Sequence, residues 1–471
     1  MDHEMRKKQV RKVALIGLAA AAGIALLSLG LATTPIGFSG SPPEEASDII
    51  GDGAPPPSDL APVAIPRPQP LGTFASRSAL LVPDAAVTDV SGKAGKRSAV
   101  RLTTRGATVY TIAPKEVLAT PVDIRRGFVI LPFRPISYVE HALRWSLQFH
   151  SAGTPASPTG NYHEMDAVRD GPSALRSVLT SQAKNAAPGR WQNFGVSAND
   201  LYKVGTGADL AHIAFVRLIV RGGAEPMVIE LGNPYFQPSA LDKAKAMISF
   251  DDGYASVVTN ALPLFEAKGF RGMYNLGALQ NTLGTPGHLD LSQLKQLRKA
   301  GWQWMQQAYS TEEIAPYVLM TPAQRDADMR KQVQFAKDDD LGEPGFGSYF
   351  SQVNQAQLDV FPMFARNQRA TRAYFTARGV DAPDYPILYG ENYPFIDPYL
   401  VKSLAGDVPT ANFARLTQHA EQAIATNGVA IYTFHNTLDN LPALLDWLDQ
   451  NRDRIDVVTE ADLNAASRKP K

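Results

Sequence analysis

Two aspartates stand side by side at the end of an apolar run, Ala246 to Val258, AMISFDDGYASVV, and near the C-terminus another apolar run, GVAIYTFHNT, carries His435 at its end. Adjacent carboxylates at the tip of a buried strand repel each other and are costly to desolvate, so something must hold Asp251 and Asp252 in place. Carboxylates and an imidazole are the residue types of general acid–base work and of divalent-metal binding. Two further stretches put polar groups where strands are expected to end: QQAYST, with Gln307, Tyr309 and Thr311, and YGEN, with Tyr389 and Glu391. Taken alone, FDDG reads equally well as a strand followed by an aspartate cap and a turn glycine.

These residues acquire meaning from the elements that must position them. After Ala244 apolar strands without alternation are each paired with an amphipathic helix. AMISF precedes ASVVTNALPLFEAKG, RGMYNLG precedes DLSQLKQLRKAG, and WQWMQQ follows; later come RATRAYFTARG with YPILYG, LTQHAEQAIATNG with VAIYTFH, and LPALLDWLDQNR with IDVVT. Strands buried on both faces and wrapped by helices predict a parallel α/β barrel over 241–471, in which reactive groups sit at the C-terminal ends of the strands. The segment GEPGFGSYFSQVN receives no assignment.

Between Leu71 and about Ala240 the grammar differs. Runs such as SAVRLTTRGATVYTI, GFVILPF, LRWSLQFHS and IAFVRLIVR alternate with period two between Gly, Pro and Asn punctuation, which predicts an antiparallel, jelly-roll-like β-sandwich over 71–240. Trp145, Trp191, Phe194 and Tyr202 offer flat faces for a sugar ring, a carbohydrate-binding role, although filling the core is the plainer use of such aromatics.

At this point the second half resembles the polysaccharide deacetylase family, also described as the NodB homology family, whose domain is a distorted (β/α) barrel. The resemblance spans roughly Ala246 to Leu463. It rests on Phe250-Asp251-Asp252-Gly253, on the Tyr389-Gly390 pair, on the strand ending in His435, and on the closing IDVVTEADL. It implies a hydrolase acting on carbon–nitrogen bonds other than peptide bonds, which removes acetyl groups from N-acetylated glycans. Asp251 would be the base, Asp252 a metal ligand, His435 the acid, and the Tyr389 backbone N–H an oxyanion donor. Tyr254, Tyr309 and Glu391 are the further candidates for holding substrate.

The sequence departs from that pattern at the metal. Gln307 and Thr311 stand where the family places two histidines. Neither an amide nor a hydroxyl is a good ligand for Zn²⁺, so the divalent ion that the resemblance implies loses two of its three side chains here. Glu312, Glu313 or Glu391 could serve a harder ion such as Mg²⁺ or Mn²⁺. His288, in GTPGHLDLSQL, reads as a surface or cap residue. The departure keeps an alternative open, a catalytically inactive glycan-binding or scaffold module in polysaccharide assembly or export. A third reading takes Asp251, Asp252 and Glu391 as a glycosidase carboxylate set, against which the adjacency of the two aspartates counts.

Composition bounds the setting. The chain has 471 residues, of which 44% are apolar, with 46 basic and 46 acidic side chains, so no net field recruits nucleic acid. The absence of cysteine excludes disulfides and thiolate chemistry. A basic tail, 1–12, precedes the uncharged stretch 13–33, long enough as a helix to span about 30 Å of hydrocarbon, so an anchor or signal is expected with the bulk of the chain extracytoplasmic. A Pro-rich spacer, 34–70, follows.

Overall fold

The computed structural model describes residues 63–74, 76–82, 87–90, 99–106, 108–137, 144–166, 191–222, 226–311, 319–342, 345–352, 370–374, 390–396, 401–407 and 412–467. The expected tail, anchor and most of the spacer lie outside them, as do Tyr389, Glu312 and Glu313. No helix among the described residues is long and apolar enough to cross a membrane.

Alternation in the first half produces antiparallel strands. They are β1 (Gln69–Pro70), β2 (Leu80–Leu81), β3 (Val87–Val90), β4 (Ala99–Thr103), β5 (Val109–Pro114), β6 (Gly127–Ser137), β7 (Arg144–His150), β8 (Tyr162–Asp166), β9 (Gln192–Ser197), β10 (Tyr202–Val204), β11 (Phe215–Arg221), β12 (Val228–Leu231) and β13 (Tyr235–Pro238). One sheet runs β1-β13-β6-β12-β4-β3, with β9 also paired to β6; the other runs β10-β8-β7-β11-β5-β2. Their inner faces share one core, with Leu102, Val129, Leu131 and Ile229 from the first sheet and Ile112, Leu147, Phe149 and Leu218 from the second. Each such side chain taken out of water stabilises the fold by about 1.5–3 kcal/mol.

The aromatic platform read from the sequence is not assembled in one place. Trp191 adjoins β9 of the first sheet, with the Arg134 guanidinium 5.5 Å from its ring, whereas Tyr202 lies on β10 at the edge of the second. The side chains of Trp145 and Phe194 are outside the described set.

From Ala244 onward every strand pairing is parallel. The strands are β14 (Ala244–Phe250), β15 (Met273–Tyr274), β16 (Gln303–Gln306), β17 (Phe346–Gln352), β18 (Ala370–Tyr374), β19 (Val401–Ala405), β20 (Val429–Phe434) and β21 (Ile455–Val457). Sheet order is β15-β16-β17-β18-β19-β20-β14-β21, and an additional β14–β15 pairing returns the sheet upon itself. β14 accomplishes this with a divided edge, since Ala244–Ala246 pair with β21 and Ser249–Phe250 with β15.

The unbroken burial of these strands resolves into two faces. Ala246, Ile248, Phe250, Tyr274, Trp304, Tyr432 and Phe434 pack outward under helices, among them α1 (Leu262–Ala267), α2 (Leu291–Lys299), α4 (Phe413–Thr426) and α5 (Leu441–Gln450). The alternate residues Met247, Met273, Met305, Phe346, Val401 and Ile431 fill a second cluster inside the ring. Continuing the same parity upward from these places Asp251, Asn275, Gln307, Ser348, Asp407 and His435 on the inward face at the strands' C-terminal ends.

Three strands run where the sequence reading had none. RATRAYFTARG, read as a helix, supplies β18; GEPGFGSYFSQVN, left unassigned, supplies β17; and LVKSLAGD supplies β19. Their short polar or glycine-bearing runs are extended because parallel neighbours on both sides take up their backbone groups, a tertiary effect that overrides weak local preference.

Candidate active site

β14 ends in a turn that only unusual backbone can make. Asp252 and Gly253 both have φ of 66°, and a Cβ on Gly253 would lie 1.8 Å from Leu276 Cδ1. Glycine is therefore required there, while aspartate tolerates the left-handed region better than most residues. The turn leaves Asp251 facing into the ring, almost wholly buried, and carries Asp252 out of line with it.

Asn275, one residue beyond β15, ties both aspartates to the adjacent strand. Its Nδ2 donates to Asp251 Oδ1 at 2.7 Å and its Oδ1 accepts from the Asp252 backbone N–H at 3.0 Å. The Asn275 N–H in turn donates to Phe250 O, and Asp251 N–H donates to Phe434 O. Phe250 is in register with both Tyr274 and Phe434, so Asp251 sits level with Asn275 on one side and His435 on the other, about 5 Å apart at the backbone.

His435 is held from the far side by Asp407, two residues past β19. Asp407 Oδ2 accepts from the His435 backbone N–H at 2.6 Å and lies 2.8 Å from its Nδ1. Burial is the largest single influence on the ring and opposes its charge. The Asp407 hydrogen bond and the charges of Asp251, Asp407 and Asp252 together outweigh it and raise His435 to about 9. With Nδ1 committed to Asp407, Nε2 is the nitrogen from which the imidazolium can deliver its proton, and 29% of the side chain remains accessible.

Neither Asn275 nor Asp407 was singled out in the sequence. Asn275 had only the signal of a polar residue after the RGMY run, and Asp407 follows a strand that had not been recognised.

The segment after β16 is pinned by the helix α3 (Pro322–Asp338). Gln307 N–H donates to Gln332 Oε1, and Tyr309 and Ser310 N–H both point to Asp328 Oδ2. Gln307 is buried with its Oε1 unpartnered, and Thr311 is half-buried. Among the described residues no group of three or more His, Cys, Asp or Glu side chains could hold a metal ion. One aspartate, a carboxamide oxygen and a hydroxyl are a poor donor set for Zn²⁺, so these residues do not fit the ion that the resemblance implied.

Tyr254 and His288 flank the mouth together. They form an isolated bridge and their rings stack at 5.4 Å, with Thr285 Oγ1 3.0 Å from His288 Nδ1. His288, read as a surface or cap residue, is thus part of the rim beside Tyr254. Glu391 is not. It bridges Val429 at the start of β20, while His435 follows that strand's other end, some 17–20 Å away along a strand of this length. Gly390 lies against Val429 O and Ala423 at the same remote end. The expected placing of Glu391 with the substrate is corrected accordingly.

Fold and site together define a parallel α/β barrel with an aspartate–histidine pair at the C-terminal ends of adjacent strands. The sequence matches no known family model and no curated protein. Among solved structures the chain is similar to the Xyl-CE4 domain of a multidomain xylanase from the hindgut metagenome of Trinervitermes trinervoides, at 14% identity and a TM-score of 0.30, over 47% of this chain and 89% of that one. It is similar to a family 4 carbohydrate esterase from Streptomyces lividans in complex with acetate, at 12% identity and a TM-score of 0.32, over 49% of this chain and 100% of that one. It is also similar to a family 11 carbohydrate-binding module of a cellulosomal cellulase from Clostridium thermocellum, at 11% identity and a TM-score of 0.25, over 37% of this chain and 96% of that one. Likenesses this distant carry no weight for the chemistry, which rests on the geometry above.

Proposed function

We propose that the barrel is a polysaccharide deacetylase-like hydrolase that cleaves the amide C–N bond of N-acetylated glycans, with Asp251 as base and His435 as acid. The observation that supports this best is the pairing of a buried carboxylate with a charged imidazole on neighbouring strand ends, the imidazole held by Asp407. In the reaction Asp251 takes a proton from water as the water oxygen bonds to the acetyl carbon. The C–N bond then breaks while His435 gives its proton to the departing nitrogen, leaving acetate and a free amine. Asn275 fixes the Asp251 carboxylate in the orientation that receives the water proton. No step is assigned to a metal, because the residues present do not suit one.

The N-terminal basic and apolar segments of the sequence support an anchored, extracytoplasmic placement. N-terminal sequencing of the membrane fraction distinguishes a retained anchor from a cleaved signal. Release of acetate from partially N-acetylated glucosamine oligomers, abolished in Asp251→Asn, tests the activity.

A second reading is favoured by Gln307 and Thr311: a barrel that has lost metal chemistry and binds glycan without hydrolysing it. Measurable glycan binding with no acetate released under any divalent metal supports that reading and retires the hydrolase. The glycosidase reading loses its carboxylate partner, since Glu391 lies at the other end of β20.

A further inference from the structure

The outward face of the second sheet is unlike an ordinary solvated sheet face. Antiparallel register places Tyr202, Glu164, Gln148 and Arg217 directly opposite one another on β10, β8, β7 and β11, a single rung across four neighbouring strands. At about 4.8 Å between strands the rung spans about 14 Å. The next rung is Val204, Tyr162, His150 and Phe215. The residues between these rungs on each strand, such as Phe149 and Val216, face the shared core, so the two rungs face away from it.

Its centre is buried and its margins are half-open. Gln148, His150, Phe215 and the flanking Ser146 are buried, whereas Tyr162, Glu164, Tyr202 and Arg217 are half-exposed. The polar groups are organised around Glu164. Its Oε1 accepts from Ser146 Oγ at 2.9 Å and Gln148 Nε2 at 3.0 Å, and its Oε2 accepts from Tyr202 OH. Gln148 Oε1 lies 3.4 Å from both Arg217 and His150 Nε2. The His150 ring is stacked on Phe215 at 4.6 Å and tilted against Tyr162 at 5.0 Å.

Two buried atoms in this network have no protein partner, His150 Nδ1 and Arg217 Nε. An unsatisfied buried polar atom costs about 1–3 kcal/mol, and two on neighbouring rungs of one face mark a place for a ligand group. Their chemistries are complementary. With Nε2–H given to Gln148, His150 Nδ1 is an acceptor, and burial together with Arg217 keeps the ring uncharged by pushing it down to about 4. Arg217 Nε is a donor. A hydroxyl is the group that both gives and takes one hydrogen bond, and the Glu164 and Arg217 charges compensate, which disfavours a charged ligand.

We propose that this face is a binding groove for a neutral, hydroxyl-rich chain, an oligosaccharide, seated along the Tyr202–Glu164–Gln148–Arg217 rung with one hydroxyl bridging His150 Nδ1 and Arg217 Nε. It is separate from the barrel mouth and does not depend on hydrolysis there.

The test is calorimetric titration of the full chain with cellohexaose, chitohexaose and, as an anionic control, oligogalacturonate. His150→Phe keeps the stacked ring and removes the acceptor; Arg217→Met keeps the apolar stem and removes the donor. The expected result is binding of a neutral hexasaccharide that weakens at least tenfold in each variant and is unchanged in Asp251→Asn. Hydrogen exchange on the unaltered protein gives a reading free of folding defects, with added hexasaccharide expected to protect β7, β8 and β11. Lack of binding by either neutral hexasaccharide, preference for the anionic one, equal affinity in both variants, or protection confined to the barrel would each overturn the groove.

Discussion

Asp407 Oδ2 stands 2.8 Å from Nδ1 of His435 and 2.6 Å from the same residue's backbone nitrogen, so one carboxylate oxygen fixes both the place and the charge of the imidazole. Asp407→Asn removes the charge and keeps the shape. His435, raised to about 9 in the intact protein, is expected to titrate at least one unit lower in the variant, read from its imidazole proton resonances across pH. The alkaline limb of the acetate-release profile moves down with it, because the acid must be protonated to act. An unmoved His435 titration would show that Asp407 is not what holds the charge.

The same raised value has a consequence for stability. A group whose pKa is higher folded than unfolded stabilises the fold fully below the unfolded value, near 6.5, and loses that contribution as pH rises through about 9. At this burial the effect is at most on the order of 2–3 kcal/mol. Denaturant unfolding of the intact protein should weaken between those two pH values, and the Asp407→Asn variant should show a flatter dependence.

Asn275→Ala leaves Asp251 Oδ1 and the Asp252 N–H without their partner. A loss of about 1–3 kcal/mol in unfolding free energy is expected, together with a fall in kcat of about 10-fold or more as the base loses its orientation. Asn275→Asp adds a third carboxylate beside two others and should be more damaging still. Equal activity of Asn275→Ala and the intact protein would remove Asn275 from the site.

Chelation separates this site from one built on a metal. Treatment with EDTA is expected to leave acetate release unchanged, and elemental analysis should find no stoichiometric divalent ion. Gln307→His with Thr311→His restores two imidazoles near Asp252, and Zn²⁺ binding should appear only in that double variant. Loss of activity on chelation of the unaltered protein would sink the metal-free mechanism.

Gly253 and Gly284 make a matched pair for strain. Both have positive φ, 66° and 71°, but an added Cβ at Gly253 meets Leu276 Cδ1 at 1.8 Å while at Gly284 nothing lies within 4 Å. Gly284→Ala should cost about 1 kcal/mol from backbone strain alone. Gly253→Ala should cost clearly more, about 2–4 kcal/mol, since Leu276 must also move. Thermal unfolding of the two variants reports the difference.

Sequence alone determined the division into an alternating, antiparallel half and a parallel, helix-wrapped half, because side-chain periodicity is a local consequence of strand geometry and of which faces are buried. It also identified Asp251 and His435, since each terminates a strongly apolar strand. It did not reveal β17, β18 or β19, whose extended backbone depends on neighbours distant along the chain, and so it missed Asp407. Asn275 escaped for a related reason, as its role exists only once β15 lies beside β14. Only the tertiary structure decided that Glu391 belongs to the opposite end of β20, because end-to-end placement depends on pairing register. It alone brought Glu164, Gln148, His150 and Arg217, separated by up to 69 positions, onto one face.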